Sequence, residues 1–116
     1  MIDNKRSVGK YWERISSDYL KRIGYTILYM NYRTRYSEID IVAQDKDALV
    51  FIEVKYRRNA NNGDPLEAID YRKQKRIYNA ALNFLRDNGY DIENTSIRFD
   101  AIGILGKEIN HVKNAF

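Results

Sequence analysis

Cysteine is absent from this chain, histidine occurs once, at His111, and nowhere do 18 apolar residues run together. Each absence removes a class of function. Without cysteine there are no disulfides, thiolate zinc clusters or thiol nucleophiles, a composition compatible with the reducing cytoplasm, the expected location. A lone histidine leaves imidazole catalysis almost no material. The lack of a long apolar run excludes a membrane-spanning helix. The N-terminal stretch Met1-Ile2-Asp3-Asn4-Lys5-Arg6 has no apolar core of the kind a signal peptide needs. Any catalysis must therefore rest on carboxylates, lysine, tyrosine or serine, with an oxygen-bound metal as the available cofactor.

What is present fits a globular chain. A length of 116 residues predicts one domain over 1–116, and 44% apolar with 31% charged residues argues against disorder. Twenty Lys and Arg against sixteen Asp and Glu give a net charge of +4 and a pI near 9.3. A basic excess favours polyanionic partners through counterion release.

The first apolar pattern is helical. Val8, Trp12, Ile15, Tyr19 and Ile23 recur at helical spacing over residues 8 to 23, with Ser7 as the expected N-cap and Gly24 as the left-handed C-terminal residue. Residues 25 to 30 read as a strand, and 31 to 37 as a polar, arginine-bearing segment. Two further strands, 38 to 44 and 48 to 56, flank Asp45-Lys46-Asp47, short enough to close a hairpin. Residues 59 to 65 hold the turn formers and the single proline, Pro65. A second helix is predicted from Asp70 to Asn88, with Ile77, Ala81, Phe84 and Leu85 on its apolar face. A last strand is predicted over 97 to 105. The order α-β-β-β-α-β predicts an α/β or α+β fold, a small mixed central sheet flanked by helices.

Charged residues stand inside two of these apolar strands. Glu38-Ile39-Asp40-Ile41-Val42-Ala43 and Leu49-Val50-Phe51-Ile52-Glu53-Val54-Lys55 carry carboxylates that would be costly to bury without a partner or a metal. Alternation puts Glu38 and Asp40 on one face, Ile39 and Ile41 on the other, and Phe51, Glu53 and Lys55 together on the second strand. A tight turn centred on Lys46-Asp47 sets Asp40 directly across from Glu53, with Cα atoms roughly 4.5–5.5 Å apart. A one-residue slip would separate them. Two carboxylates that close repel unless a cation intervenes, and Mg²⁺ (or Mn²⁺) needs only one or two of them, so Asp40 and Glu53 are the expected metal ligands. Lys55 is placed to orient a nucleophilic water or to stabilise a phosphate transition state, with Glu38 as an auxiliary acid. Glu13, about 100° around the first helix from Trp12, lies at the edge of the buried stripe, within reach of a site above the sheet. Taken singly, Glu-x-Lys on a strand is commonly a solvated, salt-bridged surface, and Glu13 a surface charge.

Together these residues resemble a known superfamily. Asp40, twelve intervening residues and Glu53-x-Lys55, preceded by a helical Glu13, look like the PD-(D/E)XK nucleases and are similar in arrangement to archaeal Holliday-junction resolvases. More closely, the chain resembles the YraN-like family of small bacterial proteins, which carry an endonuclease label. Gly9 and Glu13, Asn31-Tyr32-Arg33 with Glu38 to Ala43, Glu53-Val54-Lys55-x-Arg57, Gly63-x-Pro65-x-Glu67-Ala68-Ile69, Lys73 to Ile77, and Arg98-Phe99-Asp100 fit its blocks in order. The resemblance implies a restriction-endonuclease-like fold with Glu13, Asp40, Glu53 and Lys55 as the catalytic set and Gln74 as an auxiliary position. The chain departs from the family at Trp12 and Ser37, where glycine is usual. Trp12 could displace the helix, and Ser37 restricts a backbone that glycine would leave free.

Cations and aromatics surround the carboxylates in the sequence. Arg33 and Arg35 precede the Asp40 strand, Arg57 and Arg58 follow Lys55, and Arg72, Lys73, Lys75 and Arg76 open the second helix, all expected to track phosphates. Among ten tyrosines, Tyr32, Tyr36 and Tyr56 are candidates to stack on unpaired bases, and Tyr11, Tyr19 and Tyr78 to pack. Asp100 reads as a buried partner for an arginine and His111 as a surface residue. The leading expectation is a Mg²⁺-dependent endonuclease acting on DNA, branched or structured, and a homodimer where both strands are cut. The alternatives are a catalytically inactive nucleic-acid-binding accessory protein of the same fold, or a structural domain engaging an acidic protein.

Overall fold

Apolar segments and two amphipathic ones fold into an α+β arrangement, and one polar segment is recruited as an additional strand. The computed structural model describes residues 5–116; Met1-Ile2-Asp3-Asn4, read above as part of a stretch without a signal-peptide core, lies outside the described residues. The elements are α1 (Lys5–Arg22), β1 (Thr26–Arg33), β2 (Glu38–Asp45), β3 (Ala48–Arg57), α2 (Tyr71–Asp87), β4 (Ile97–Leu105) and β5 (Glu108–Val112). The strands form one sheet in the order β1-β2-β3-β4-β5. β3 and β4 pair in parallel, which requires a crossover, and α2 supplies it. The other pairs are antiparallel. Among the described residues, no helix is long and apolar enough to cross a membrane.

The first helix packs Trp12 and Tyr19 of its apolar stripe against the core, but its most buried face is turned toward Ser16, Ser17 and Leu20. It begins by Lys5, so Ser7 lies inside its first turn and is not the N-cap. Its buried residues are Ser16, Ser17 and Leu20, whereas Ile23 is 44% exposed. Glu13, Ser16, Ser17 and Leu20 share one stripe at helical spacing, which moves Glu13 from the margin to the inward face. Small serines let the helix backbone approach the sheet. Trp12 lies on Tyr56 in a ring stack (5.1 Å, 15°), so its bulk is taken up above β3. Ser16 is fully buried and its Oγ has no partner among the described residues. Ser16→Ala is therefore expected to stabilise the protein by about 1 kcal/mol, read as a higher urea midpoint. A lower midpoint would mean that the hydroxyl is engaged.

Helix α2 forms where its periodicity places it. Asp70 caps it by accepting from the Lys73 N–H, and Ile77, Ala80, Ala81, Phe84 and Leu85 are buried. Before it, Asp64 and Glu67 close a capping box around the short 3₁₀ turn Pro65–Ala68, and Leu66 packs against Gly103, where a Cβ would collide with it. The Gly63-x-Pro65 loop thus docks on β4.

Two cores lie on opposite faces of the sheet. Leu20 of α1 packs with Ile41, Ala43, Val50, Ile52, Ile102 and Ile104. The apolar face of α2 packs with Ile39, Val42, Leu49 and Phe51. β3 alternates between the cores as a strand should, but β2 does not: Ile41 belongs to the α1 side and Ile39 to the α2 side. The expectation that Ile39 and Ile41 share a face is overturned. The same switch occurs on β1, where Met30 packs against the α1 core and Tyr32 against the α2 core. Between these residues stands Asn31, whose φ of 55° is left-handed. The β1–β2 register runs Met30 to Ile41 and Tyr32 to Ile39, skipping Asn31 and Asp40. β1 also extends to Arg33, beyond the predicted end.

A fifth strand, absent from the sequence reading, returns along β4 through Gly106 and Lys107. It carries His111 inward, contrary to a surface position: the side chain is 5% exposed. His111 Nε2 lies 2.8 Å from Asp100 Oδ2, and Nδ1 lies 3.0 Å from the Tyr19 hydroxyl. Asp100 is fully buried and also accepts from the Tyr25 hydroxyl (2.9 Å), Arg98 Nε (2.8 Å) and the Asn114 N–H (3.1 Å). Burial alone would raise its pKa, but bonds from His111, Arg98, Asn114 and Tyr25 outweigh burial and hold it well below the usual carboxylate range.

Candidate active site

The two-residue turn at Lys46-Asp47 pairs Asp45 with Ala48 and Ile41 with Ile52. This is the register that directs Asp40 toward Glu53. The ladder stops one step short of them. Asp40 is skipped on its β1 side and lies beyond the last β2–β3 pair. Its carboxylate instead accepts the Val54 N–H at 2.7 Å, filling the gap between the strands. Opening the sheet on both sides of one residue lets groups from both faces converge. Glu13 arrives from α1; Glu53 shares the α2 face with Leu49 and Phe51.

Oxygen atoms of Glu13, Glu38 and Asp40 all lie within 4.8 Å of one another. Asp40 and Glu53 are buried, at 8% and 3% exposure. Burial, then the charge and the hydrogen-bonding proximity of Glu53, push Asp40 well above the ordinary value of 3.8, against the Val54 N–H. Burial and Glu38 raise Glu13, while hydrogen bonds to Asn31 and Asp40 pull the other way. Glu13, Glu38 and Asp40 form a crowded cluster of acids, with Glu53 beside Asp40.

Glu53 is not among the three converging acids. Its Oε2 faces two ammonium groups, Lys55 at 3.5 Å and Lys73 at 3.3 Å, and its Oε1 is buried with no partner among the described residues. Lys73, expected from the sequence to track phosphates with its neighbours on α2, instead lies against Glu53 at the centre. Gln74, expected in the auxiliary role, directs its amide to the Ile69 carbonyl. Asn31 is the other residue that sequence reasoning missed. It lines an open cleft of about 260 Å³ over Glu13 and Glu38, rimmed by Lys5, Arg6, Lys10 and Arg33.

The other predicted cations are dispersed. Arg33, exposed, pairs with Glu38 at 2.9 Å. Arg35 lies over the exposed Tyr36 ring, and Lys75 over Tyr71. Arg58, Arg72 and Arg76 are exposed, and Arg57 is half-buried with its Nε unpartnered among the described residues. Tyr32 is not free to stack: its ring abuts Phe84 and its hydroxyl donates to Asp87 at 2.8 Å. Burial and Asp87 push its pKa up to about 12. Tyr11, expected to pack, is 48% exposed with its ring edge-on to Trp12. Ser37 closes a turn with Thr34 and has no left-handed backbone, so the missing glycine leaves no strain there.

Sequence comparison gives this arrangement a family context. The chain is 48% identical over 113 residues to a UPF0102 protein of Lachnoclostridium phytofermentans, covering 97% of this chain and 95% of that one. It is 40% identical over 115 residues to one of Clostridioides difficile (97% and 99%). It is 39% identical over 114 residues to one of Aliivibrio fischeri (97% and 93%). Residues 12–104, from within α1 to within β4, match the uncharacterised protein family UPF0102, and the chain belongs to that family.

Proposed function

We propose that the chain is a Mg²⁺- or Mn²⁺-dependent DNA endonuclease of restriction-endonuclease-like fold, acting on branched or otherwise structured DNA. The observation that carries this reading is the meeting of Glu13, Glu38 and Asp40 at the interrupted centre of the sheet, with Glu53 and its partner Lys55 beside Asp40 and a rim of cations over Glu13 and Glu38. The helix-meander-helix-strand order of α1 through β4 supports the fold assignment, and β5 is an addition to it.

The donor set fits a hard divalent cation. It is all oxygen, three ligand atoms converge, and the buried Oε1 of Glu53 is left for a positive partner. Glu13, Glu38, Asp40 and Glu53 would hold the ion, which supplies charge neutralisation and activation of water for phosphodiester hydrolysis. Hydrolysis adds a water oxygen to phosphorus and breaks one P–O ester bond, leaving a phosphate monoester and a hydroxyl. Lys55 and Lys73, held on Glu53, orient the attacking water and counter the charge gathering on the phosphate oxygens. Arg33, Lys10 and neighbouring cations hold the flanking phosphates.

The test is cleavage of junction, flap, single-stranded and duplex DNA in Mg²⁺, Mn²⁺ and EDTA. Cleavage is expected with either metal and not with EDTA, and Asp40→Ala and Lys55→Ala are expected to remove it. Salt-sensitive binding without cleavage in every metal, unchanged by both substitutions, would replace the enzyme with a binding protein of the same fold.

A further inference from the structure

We infer that Asn31 is a positioning residue of this centre: its left-handed backbone turns β1 and β2 over together at the level of Asp40, and its amide holds the Glu13 carboxylate against that aspartate. This deepens the nuclease reading and rests on it for its consequence, though not for its geometry.

Three observations meet at this residue. Asn31 has a φ of 55° inside a strand, a conformation that costs free energy for any L-residue and that asparagine tolerates better than most. At the same level the side chains of both strands change faces, Met30 and Ile41 pointing to one core, Tyr32 and Ile39 to the other. A regular pair of strands cannot do this, because the period of two is strict. At the same level no β1–β2 pair joins Asn31 and Asp40, and on the opposite side of β2 the Asp40 carboxylate accepts from the Val54 N–H.

The side chain adds a second action. Asn31 and Glu13 line the same cleft, and the Asn31 side chain favours the charged form of that carboxylate. Glu13 is the acid that must cross from α1, so it needs an anchor on the sheet. Local strain held in place by surrounding packing is a mark of functional positions, and here it accompanies the convergence of Glu13 and Asp40.

Asn31→Gly separates the two actions, since glycine keeps the left-handed backbone and loses the amide. The variant is expected to melt within about 4 °C of the parent. It should bind Mn²⁺, measured by calorimetry, about tenfold more weakly, the effect typical of removing a residue that orients a ligand. Asn31→Val disfavours the left-handed backbone as well and is expected to lose about a hundredfold. A merely structural residue would instead lower the melting temperature of Asn31→Gly and leave its metal affinity unchanged. That result overturns the inference. An arm without metal uses NMR: Asn31 side-chain amide protons are expected to exchange about tenfold faster after Glu13→Ala, the loss of one hydrogen bond. Exchange that does not change overturns the anchoring role. If the parent protein binds no Mn²⁺, the nuclease reading fails and the NMR arm alone decides the inference.

Discussion

Asp40→Asn is expected to abolish DNA cleavage while raising the melting temperature of the metal-free protein. Both effects follow from one crowded carboxylate. Asp40 is buried beside Glu53 and Glu13, and its pKa stands well above the ordinary value of 3.8. A raised carboxylate contributes stability that is fully present below its unfolded value and lost as pH rises through the folded one. The metal-free protein therefore loses stability between the unfolded value and the raised folded one. The isosteric amide does not ionise, escapes that loss, and is expected to raise the melting temperature by at least about 4 °C in EDTA at neutral pH. In the parent protein, EDTA stability is expected to fall as pH rises from about 4 toward neutrality, and excess Mn²⁺ to offset the fall. In the variant both dependences shrink. Cleavage is expected to drop on the order of 10³-fold or more, because the residue acts through several kcal/mol of charge stabilisation. Thermal melts at several pH values with and without Mn²⁺ check this. A variant less stable than the parent in EDTA, or one whose melting point still climbs fully with Mn²⁺, refutes it.

Asp100→Ala is expected to have the opposite sign and the largest stability cost in the molecule, about 3–5 kcal/mol. Arg98, His111, Tyr25 and the Asn114 N–H all converge on this fully buried carboxylate. Removing it leaves a half-buried guanidinium with Asp45 as its remaining acid, at 3.0 Å, and takes the acceptor away from His111. The pH dependence differs in sign from that of Asp40. A depressed carboxylate contributes stability present above the unfolded value of 3.8 and lost as pH falls through the folded one. The parent is thus expected to lose stability steeply in acid and the variant much less so. Urea titrations between about pH 2 and 7 measure both. A variant that matches the parent at neutral pH would show that the network adds nothing.

Local signals carried much of the architecture. α2 was legible from its periodicity, capped by Asp70 and followed by the left-handed Gly89, and β4 from its apolar run. The approach of Asp40 to Glu53 was legible because a two-residue turn permits one register. The first helix was legible in part, Trp12 and Tyr19 packing on the core as their spacing implies. Its apolar residues recur at the right spacing, but the face that packs is chosen by what the sheet can accept, and two serines with Glu13 fit closer than Ile23. β5 was illegible because Glu108, Asn110 and His111 lack an apolar alternation; the strand exists because the β4 edge offers partners.

By itself, then, the sequence determined which residues are acidic within apolar strands, the absence of thiol and almost of imidazole chemistry, and the turn that joins the two acid-bearing strands. These depend on composition and on neighbours in the chain. Only the tertiary structure decided that Asn31 and Asp40 mark a change of face, that Glu13 points inward, that Lys73 reaches Glu53 from across the chain, and that His111 is buried on Asp100. Each of those depends on contacts between distant segments, where backbone strain and desolvation are balanced by packing that no local window contains.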